Sequence, residues 1–414
     1  MPLTPPKIVN PVAAPKPFSP AYAAAFQCIG AKCEDHCCQG QGWAIPVDRK
    51  TYARYQLFPA DQLGQAVSVF VKPTHGPVTD SIYAHLSMTE SGDCPFCEAD
   101  RLCGIQKTYG PDLLSATCSS YPRVLNKVDG VLEGSLSLSC PEATRNVLLD
   151  EGFLARTGRM ESNRFRTDNF LRLARGPGKR GEDFHAVRAA VIGLIGDRAR
   201  PMGLRVLRVG ALCALLQAGA RAEDVVRAAQ RSDWDDELRA LPGNLKVRLD
   251  VTRQLSAERA GDKTSGQRFQ QTYSKFMRGL GPQGRLERFA DAESTLYSKL
   301  LEERPYLMEN FLVNYIYQKL FPFGRADGLH LRESSVFEEF LLMATLFAWM
   351  ETLLIGVAAA EGNDFGAADV VKVVQSFCRA VEHYPYVLEN VLLTMRTRGL
   401  DSLAGMALIL RAAE

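Results

Sequence analysis

"FLLMATLFAWMETLLIGVAAA", residues 340–360, is the most apolar stretch of the chain, and its reading decides the fold. It is about long enough to cross a bilayer, for which roughly 20 apolar residues suffice. Glu351 interrupts it and acids flank both ends, and an ionised side chain at membrane depth is costly. The stretch is therefore read as the central buried helix of a globular body, not as a membrane span.

Outward from it, apolar residues recur at three and four positions, the spacing of one helix face. Helices are expected at 184–197, 201–219, 222–241, 245–259, 266–280, 288–302, 304–320, 333–360, 366–384, 386–398 and 401–413. "CPEATRNVLLDEGFLAR" (140–156) opens another, with Pro141 at the first helical position, where its missing N–H costs nothing. "LARGPGKRGEDF" (173–184) reads as an exposed loop. Its Gly176, Gly178 and Gly181 match the spacing of a dinucleotide fingerprint, but that pattern cradles a phosphate only between a strand and a helix, and a helix-like segment precedes it. Without strand–helix alternation, a nucleotide-binding α/β domain is not supported.

The 414 residues are 46% hydrophobic and carry 49 Lys+Arg against 47 Asp+Glu, a formal net charge of +2. Such a balance gives no argument for a nucleic-acid partner. The opening residues are proline-rich and lack the apolar core of a signal peptide, so residues 1–25 are read as an arm and the location as cytoplasmic. Residues 26–150 are broken by Gly, Pro and Cys, with brief strands expected in "GWAIPVD" and "EGSLSLS". Residues 151–414 form the helical domain. The expected fold is mainly α, with a cysteine-rich, loop-rich N-terminal segment carrying an iron–sulfur cluster packed on a multi-helix body.

Of 11 cysteines, all but Cys213 and Cys378 fall between positions 28 and 140. Those two sit at apolar helical spacing and are assigned to the core. In a reducing compartment, clustered thiols point to a metal or iron–sulfur site, not to disulfides. The string runs Cys28, Cys33, Cys37, Cys38, then Cys94, Cys97, Cys103, then Cys118 and Cys140. Four sulfurs hold a [4Fe–4S] cluster and four ligands hold structural zinc, so the thiols exceed the need of one site. Either some are spare or there are two sites. The adjacent Cys37 and Cys38 are hard to aim at one ion, because consecutive side chains diverge in helices and strands alike.

The radical-type cysteine triplet is absent, since after Cys33 and Cys37 its third position is Gly40. Cys94 and Cys97 form the sole C-x2-C pair, so zinc-ribbon spacing is absent too. Iron–sulfur is preferred, with zinc as the alternative metal. His36 is read as a solvated loop residue, and His75 and His85 carry less weight still.

"FQCIGAKCEDHCCQGQGWAIPVD", "CPFCEADRLCGIQKTYG", "LSATCSSYPRVL" and "GSLSLSCPEATRNVLL" resemble, in order, the cysteine motifs of the flagellin lysine-N-methylases, relatives of the zinc- or iron-chelating CxxCC proteins. "NFLVNYIYQKLFPFG" (310–324) and "VVQSFCRAVEH" (373–383) are similar to that family's helical part. The resemblance implies a bacterial enzyme that moves methyl groups from S-adenosylmethionine to lysines of flagellin and holds a [4Fe–4S] cluster. It carries over Cys28, Cys33, Cys37, Cys38, Cys94, Cys103, Cys118 and Cys140 as metal ligands. Cys97 departs from the pattern, standing where an aliphatic residue is implied, and ranks last as a ligand.

Methyl transfer to an amine is an in-line displacement that requires alignment and a neutral lysine. With a pKa near 10.4, about one lysine in a few thousand is neutral at pH 7. A proton acceptor, or an apolar channel that lowers the lysine pKa, is therefore needed, and Tyr109, Tyr121 and Glu142 are candidates by type and neighbourhood. Arg123 is the candidate for binding the charged cofactor. The competing reading is a non-catalytic iron–sulfur or zinc-binding redox sensor or metal carrier.

Overall fold

The 340–360 stretch lies inside the 26-residue helix Val336–Glu361 of a computed structural model, which describes residues 22–40, 43–76, 79–128, 131–153, 181–281, 286–324 and 335–411. Every residue from Phe340 to Ala358 is buried. Ser335 starts the helix with a reciprocal cap, its hydroxyl accepting from the Glu338 N–H at 3.2 Å while the Glu338 carboxylate accepts from its own N–H at 2.9 Å. The helix is long and apolar enough to cross a membrane, but its apolar window is enclosed by protein. Among the described residues no other helix has that length and composition.

Helices Met202–Gln217, Leu245–Gly261, Gln267–Leu280, Ala367–Val381 and Leu403–Leu410 surround it. The approach to Gln267–Leu280 is close enough that a Cβ at Gly279 would overlap the Gly356 carbonyl. Glu351 is accommodated by ligation. Arg248 reaches it at 3.0 Å, and the Tyr297 hydroxyl donates to it at 3.0 Å. Burial still raises its pKa above the ordinary carboxylate range.

The helical expectations match the observed elements with one clear exception. The 222–241 segment is two helices, Ala222–Ala228 and Trp234–Arg239. Between them the buried Arg208 donates to the carbonyls of Ala229 (3.0 Å) and Arg231 (2.6 Å). The chain breaks where a guanidinium replaces helical N–H donors. Of the expected 173–184 loop, 173–180 lie outside the described residues, and 181–184 instead open the helix Gly181–Ile195. Of the expected 1–25 arm, 1–21 lie outside them, and Tyr22–Ala25 form a short helix whose Tyr22 and Ala23 are buried.

Five short strands are present among the described residues. β1 (Ala44–Val47), β2 (Val71–Pro73) and β3 (Ala84–Ser87) form an antiparallel sheet in the order β1-β3-β2. β4 (Arg123–Val128) and β5 (Val131–Leu136) form a hairpin, with Arg123 opposite Leu136. The sequence signals anticipate β1 and part of β5 and miss the other three, of which β2 and β3 are only three and four residues long.

Apolar burial does not change over at residue 150. Val47, Tyr55, Val67, Leu86, Phe96 and Ile105 build a small core of their own, whereas Tyr22, Phe26, Leu125, Leu136 and Val147 belong to the helical core. Asn314 docks the hairpin, donating to the Leu136 carbonyl at 2.8 Å and accepting from the Tyr22 hydroxyl at 2.8 Å. A buried bidentate pair, Arg188 with Glu133 at 2.7 and 2.5 Å, fixes the hairpin from the other side. The cysteine segments therefore run between two cores.

Candidate functional site

The cysteines are brought in by backbone pairing. The Cys94 N–H donates to the Cys38 carbonyl at 2.8 Å, and Gln39 and Asp93 form an antiparallel bridge beside it. In the "CPFC" turn the Cys97 N–H donates to the Cys94 carbonyl at 2.9 Å, and Cys97 bridges to Cys103. Arg101 closes the intervening loop at φ +65°, and Lys107 clamps it through Glu98 (2.5 Å) and Asp100 (2.7 Å). Cys103 and Cys140 are the residues immediately before helices Gly104–Tyr109 and Pro141–Leu148. Backbone N–H groups of those helices point at both sulfurs, an arrangement that favours thiolate.

Cys37 and Cys38 depart from the expected divergence. They lie in a turn, where neither helical nor strand periodicity applies, and their thiols hydrogen-bond each other. Cys33, Cys118 and Cys140 lie within electrostatic reach of Cys37, and the Cys94 and Cys97 thiols hydrogen-bond that of Cys38. Cys28 is exposed, near Cys33 and Arg123. Its sulfur accepts from the Gly30 N–H at 3.4 Å. Crowding disfavours ionisation: the neighbouring Cys38 thiol, then burial, pushes Cys37 well up, and burial pushes Cys140 up to about 12. A bound cation reverses that balance by stabilising several thiolates at once.

Two residues ranked low by sequence stand among these thiols. His36 Nδ1, Cys38 Sγ and Cys97 Sγ lie within 4.8 Å of one another. The His36 side chain is half-buried, not solvated, and its Nδ1 is buried without a hydrogen-bond partner. Cys213 and Cys378 are fully buried in the helical core. The donor set thus supplies more than the four sulfurs of a [4Fe–4S] cluster and an orphaned nitrogen besides, so the residues fit a sulfur-ligated metal group.

A cleft of about 600 Å³ opens beside the cysteine turn, between it and the helical body. Asp35, Trp43, Lys263, Arg268, Arg379 and Tyr384 line it. Asp35 is held by Arg379 at 3.0 Å and by the Gln375 amide at 2.6 Å. The Arg379 guanidinium covers the Trp43 ring at 5.2 Å, and the Trp43 N–H donates to the Tyr384 hydroxyl at 2.9 Å. Glu34, the other acid on the cleft wall, is paired with Arg145. Arg268 is only loosely engaged, 3.8 Å from Asp35, and its buried Nε has no hydrogen-bond partner. The cleft thus keeps cationic groups for an anionic end of a ligand.

The candidates for proton acceptance and cofactor binding fall elsewhere. Tyr109 stacks on Phe58 at 4.2 Å in the small core. Glu142 pairs with Arg145 at 2.8 Å. Arg123 is occupied, donating to the carbonyls of Ala23 (2.9 Å) and Phe26 (2.5 Å), so it holds the N-terminal segment in place. Tyr121 alone enters a functional-looking network. Its hydroxyl meets Ser139 Oγ at 2.9 Å, and His383 Nε2 lies 2.8 Å from the same oxygen. Sequence reasoning missed Asp35, Ser139, Gln375, Arg379 and His383. One signal was present: Gln375 and Arg379 stand four residues apart on helix Ala367–Val381 and so share one face, with His383 four further on in the turn just past it.

The family model described as FliB lysine N-methylase C-terminal domain matches residues 188–409. The chain belongs to this family. The matched region is the helical body, including the Lys263, Arg268, Arg379 and Tyr384 side of the cleft. Among similar proteins, a protein named Lysine-N-methylase from Salmonella typhimurium (strain LT2) is 36% identical over 141 residues, 33% of this chain and 33% of that protein. One named Flagellar biosynthetic protein FliU from Salmonella muenchen is 36% identical over 141 residues, covering 33% of this chain and 79% of that protein. The alignment thus spans about a third of the curated lysine N-methylase. No solved structure matches.

Proposed function

We propose that this protein transfers methyl groups from S-adenosylmethionine to lysine side chains of a protein, with flagellin as the acceptor, in the bacterial cytoplasm. The observation that carries this reading is the cleft whose one wall is the cysteine turn and whose other wall is family-matched helix. A volume of about 600 Å³ is in the range of small-molecule sites. Arg268 and Lys263 supply the charge that a methionyl carboxylate needs. Acceptor lysine must lose its proton before displacement, and a wall with surplus positive charge lowers its pKa. Tyr121 is linked through Ser139 to the exposed His383, whose ring packs at 5.4 Å on Trp43 of the cleft wall. This relay borders the cleft without lining it and offers a hydrogen-bonded route to solvent for that proton.

A [4Fe–4S] cluster, held by four of Cys28, Cys33, Cys37, Cys38, Cys94, Cys103, Cys118 and Cys140, would tie the cysteine segments together. Zinc is the alternative metal. Simple displacement at a sulfonium carbon needs no electron transfer, so this group is assigned a structural or cofactor-positioning part. The test is direct. Anaerobically purified protein is incubated with S-adenosylmethionine and flagellin, and the flagellin is weighed by mass spectrometry. Lysine mass increments of one or more methyl groups are expected. Unchanged flagellin, together with no binding of S-adenosylmethionine, would leave the metal-sensing reading in its place.

A further inference from the structure

Cys37 and Cys38 stand in one crowd of thiols: Cys33, Cys97, Cys103, Cys118 and Cys140 lie within electrostatic reach of Cys37, while the nearest partners of Cys38 besides Cys37 are Cys94 and Cys97. On the Cys38 side stands the His36 Nδ1 atom, buried and unpartnered, within 4.8 Å of both the Cys38 and Cys97 sulfurs. Buried imidazole nitrogens normally find a hydrogen bond. One that lacks it and faces two thiols has the surroundings of a metal ligand.

We propose that His36 Nδ1, Cys38 and Cys97 bind a zinc ion in a mixed nitrogen–sulfur site separate from the all-sulfur site. Two further observations support this. Cys94 and Cys97 form a C-x2-C turn closed by the Cys97 N–H to Cys94 carbonyl bond at 2.9 Å, the local geometry that presents two sulfurs to one tetrahedral ion. Cys94 interacts with the Cys38 thiol, but its sulfur is not within 4.8 Å of all three triad atoms, so it would complete the shell only by moving toward them. Secondly, Cys28, Cys33, Cys37, Cys103, Cys118 and Cys140 remain for a cluster, which takes four. Zinc suits the mixed donors because it is borderline-soft and accepts imidazole and thiolate together. Tetrahedral zinc, at ~2.3 Å to sulfur and ~2.0 Å to nitrogen, sets ligand atoms ~3.5–3.8 Å apart. A small contraction of the observed triad reaches that spacing, with the thiol protons released to solvent. Cys97, the residue that departs from the cysteine pattern of the resemblance, thereby gains a task.

The experiment measures zinc and iron per chain by plasma mass spectrometry in full-length protein, with His36→Gln and Cys97→Ser as variants. Zinc retention after a chelator challenge is expected to fall about tenfold or more in each variant, with iron unchanged. Zinc retained at the unsubstituted level in both variants would overturn the proposal, as would parallel loss of iron and zinc in variants whose circular dichroism and melting are unaltered. If either variant fails to fold, the unsubstituted protein decides. Its zinc absorption edge should report one nitrogen with sulfur neighbours, and an all-sulfur or oxygen-dominated shell would refute the site.

Discussion

Arg379 Nη1 stands 3.0 Å from the Asp35 carboxylate, so a helix of the family-matched body grips the turn that carries Cys33, Cys37 and Cys38. The same guanidinium donates to the carbonyls of Asp35 (3.4 Å), His36 (3.3 Å) and Gln39. Both side chains are nearly buried, with 12% and 13% of their surface exposed, and breaking such a pair costs about 3 kcal/mol. Arg379→Ala should lower the melting temperature and reduce iron per chain. Arg379→Lys should recover only part of both, because one ammonium cannot span the fork of acceptors. Unaltered metal content in Arg379→Ala would show that the turn holds its shape unaided.

Arg268 presents a buried, loosely engaged cation on the cleft wall. A hydrogen bond to a charged group contributes roughly 1.5–3 kcal/mol, so Arg268→Ala should weaken binding of S-adenosylmethionine about tenfold. The melting temperature should stay within a degree or two, since Asp35 keeps Arg379 and Gln375. Isothermal titration with S-adenosylhomocysteine measures the effect, and unchanged affinity would move the cofactor out of this cleft.

Asp262 sets the cleft segment that follows it. Burial opposes ionisation there, but the Tyr386 hydroxyl (2.6 Å), the Thr264 N–H (2.8 Å) and the Thr264 hydroxyl (2.9 Å) outweigh it and hold the carboxyl down to about 2. An unfolded aspartate titrates near 3.9. The folded pKa is depressed, so its stabilisation is complete above about pH 4 and is lost as pH falls toward about 2. Denaturant midpoints should show a steeper acid loss for the unsubstituted protein than for Asp262→Asn. Parallel acid profiles would contradict this assignment.

Gly279 faces the Gly356 carbonyl with no room for a Cβ. The obstacle is backbone of the central helix, which cannot rotate aside. Gly279→Ala should therefore lose at least about 1–3 kcal/mol through overpacking, despite alanine's better helix propensity. A urea melt distinguishes the two effects by sign, and stabilisation would mean that the helices separate freely.

The sequence by itself determined that the C-terminal body is helical, that 340–360 is its most apolar element, and that the thiols concentrate before residue 140. These features are written in periods and counts, which local backbone geometry reads directly. It also supplied the family, through cysteine spacings and the helical segments near 310–324 and 373–383.

Only the tertiary structure decided which groups meet. His36 looked solvated because a sequence does not show that its Nδ1 is buried within 4.8 Å of the Cys38 and Cys97 sulfurs. Arg123 sat beside the cysteines in sequence, yet its guanidinium is occupied by carbonyls almost a hundred positions earlier. Asp35 carried no local signature, and the four-residue spacing of Gln375 and Arg379 did not show what they face, because their pairing joins segments some 340 residues apart. Glu351 shows both levels at once. Its charge in an apolar run argued against a membrane span from sequence alone, while Arg248 and Tyr297, brought in from other helices, make its burial tolerable.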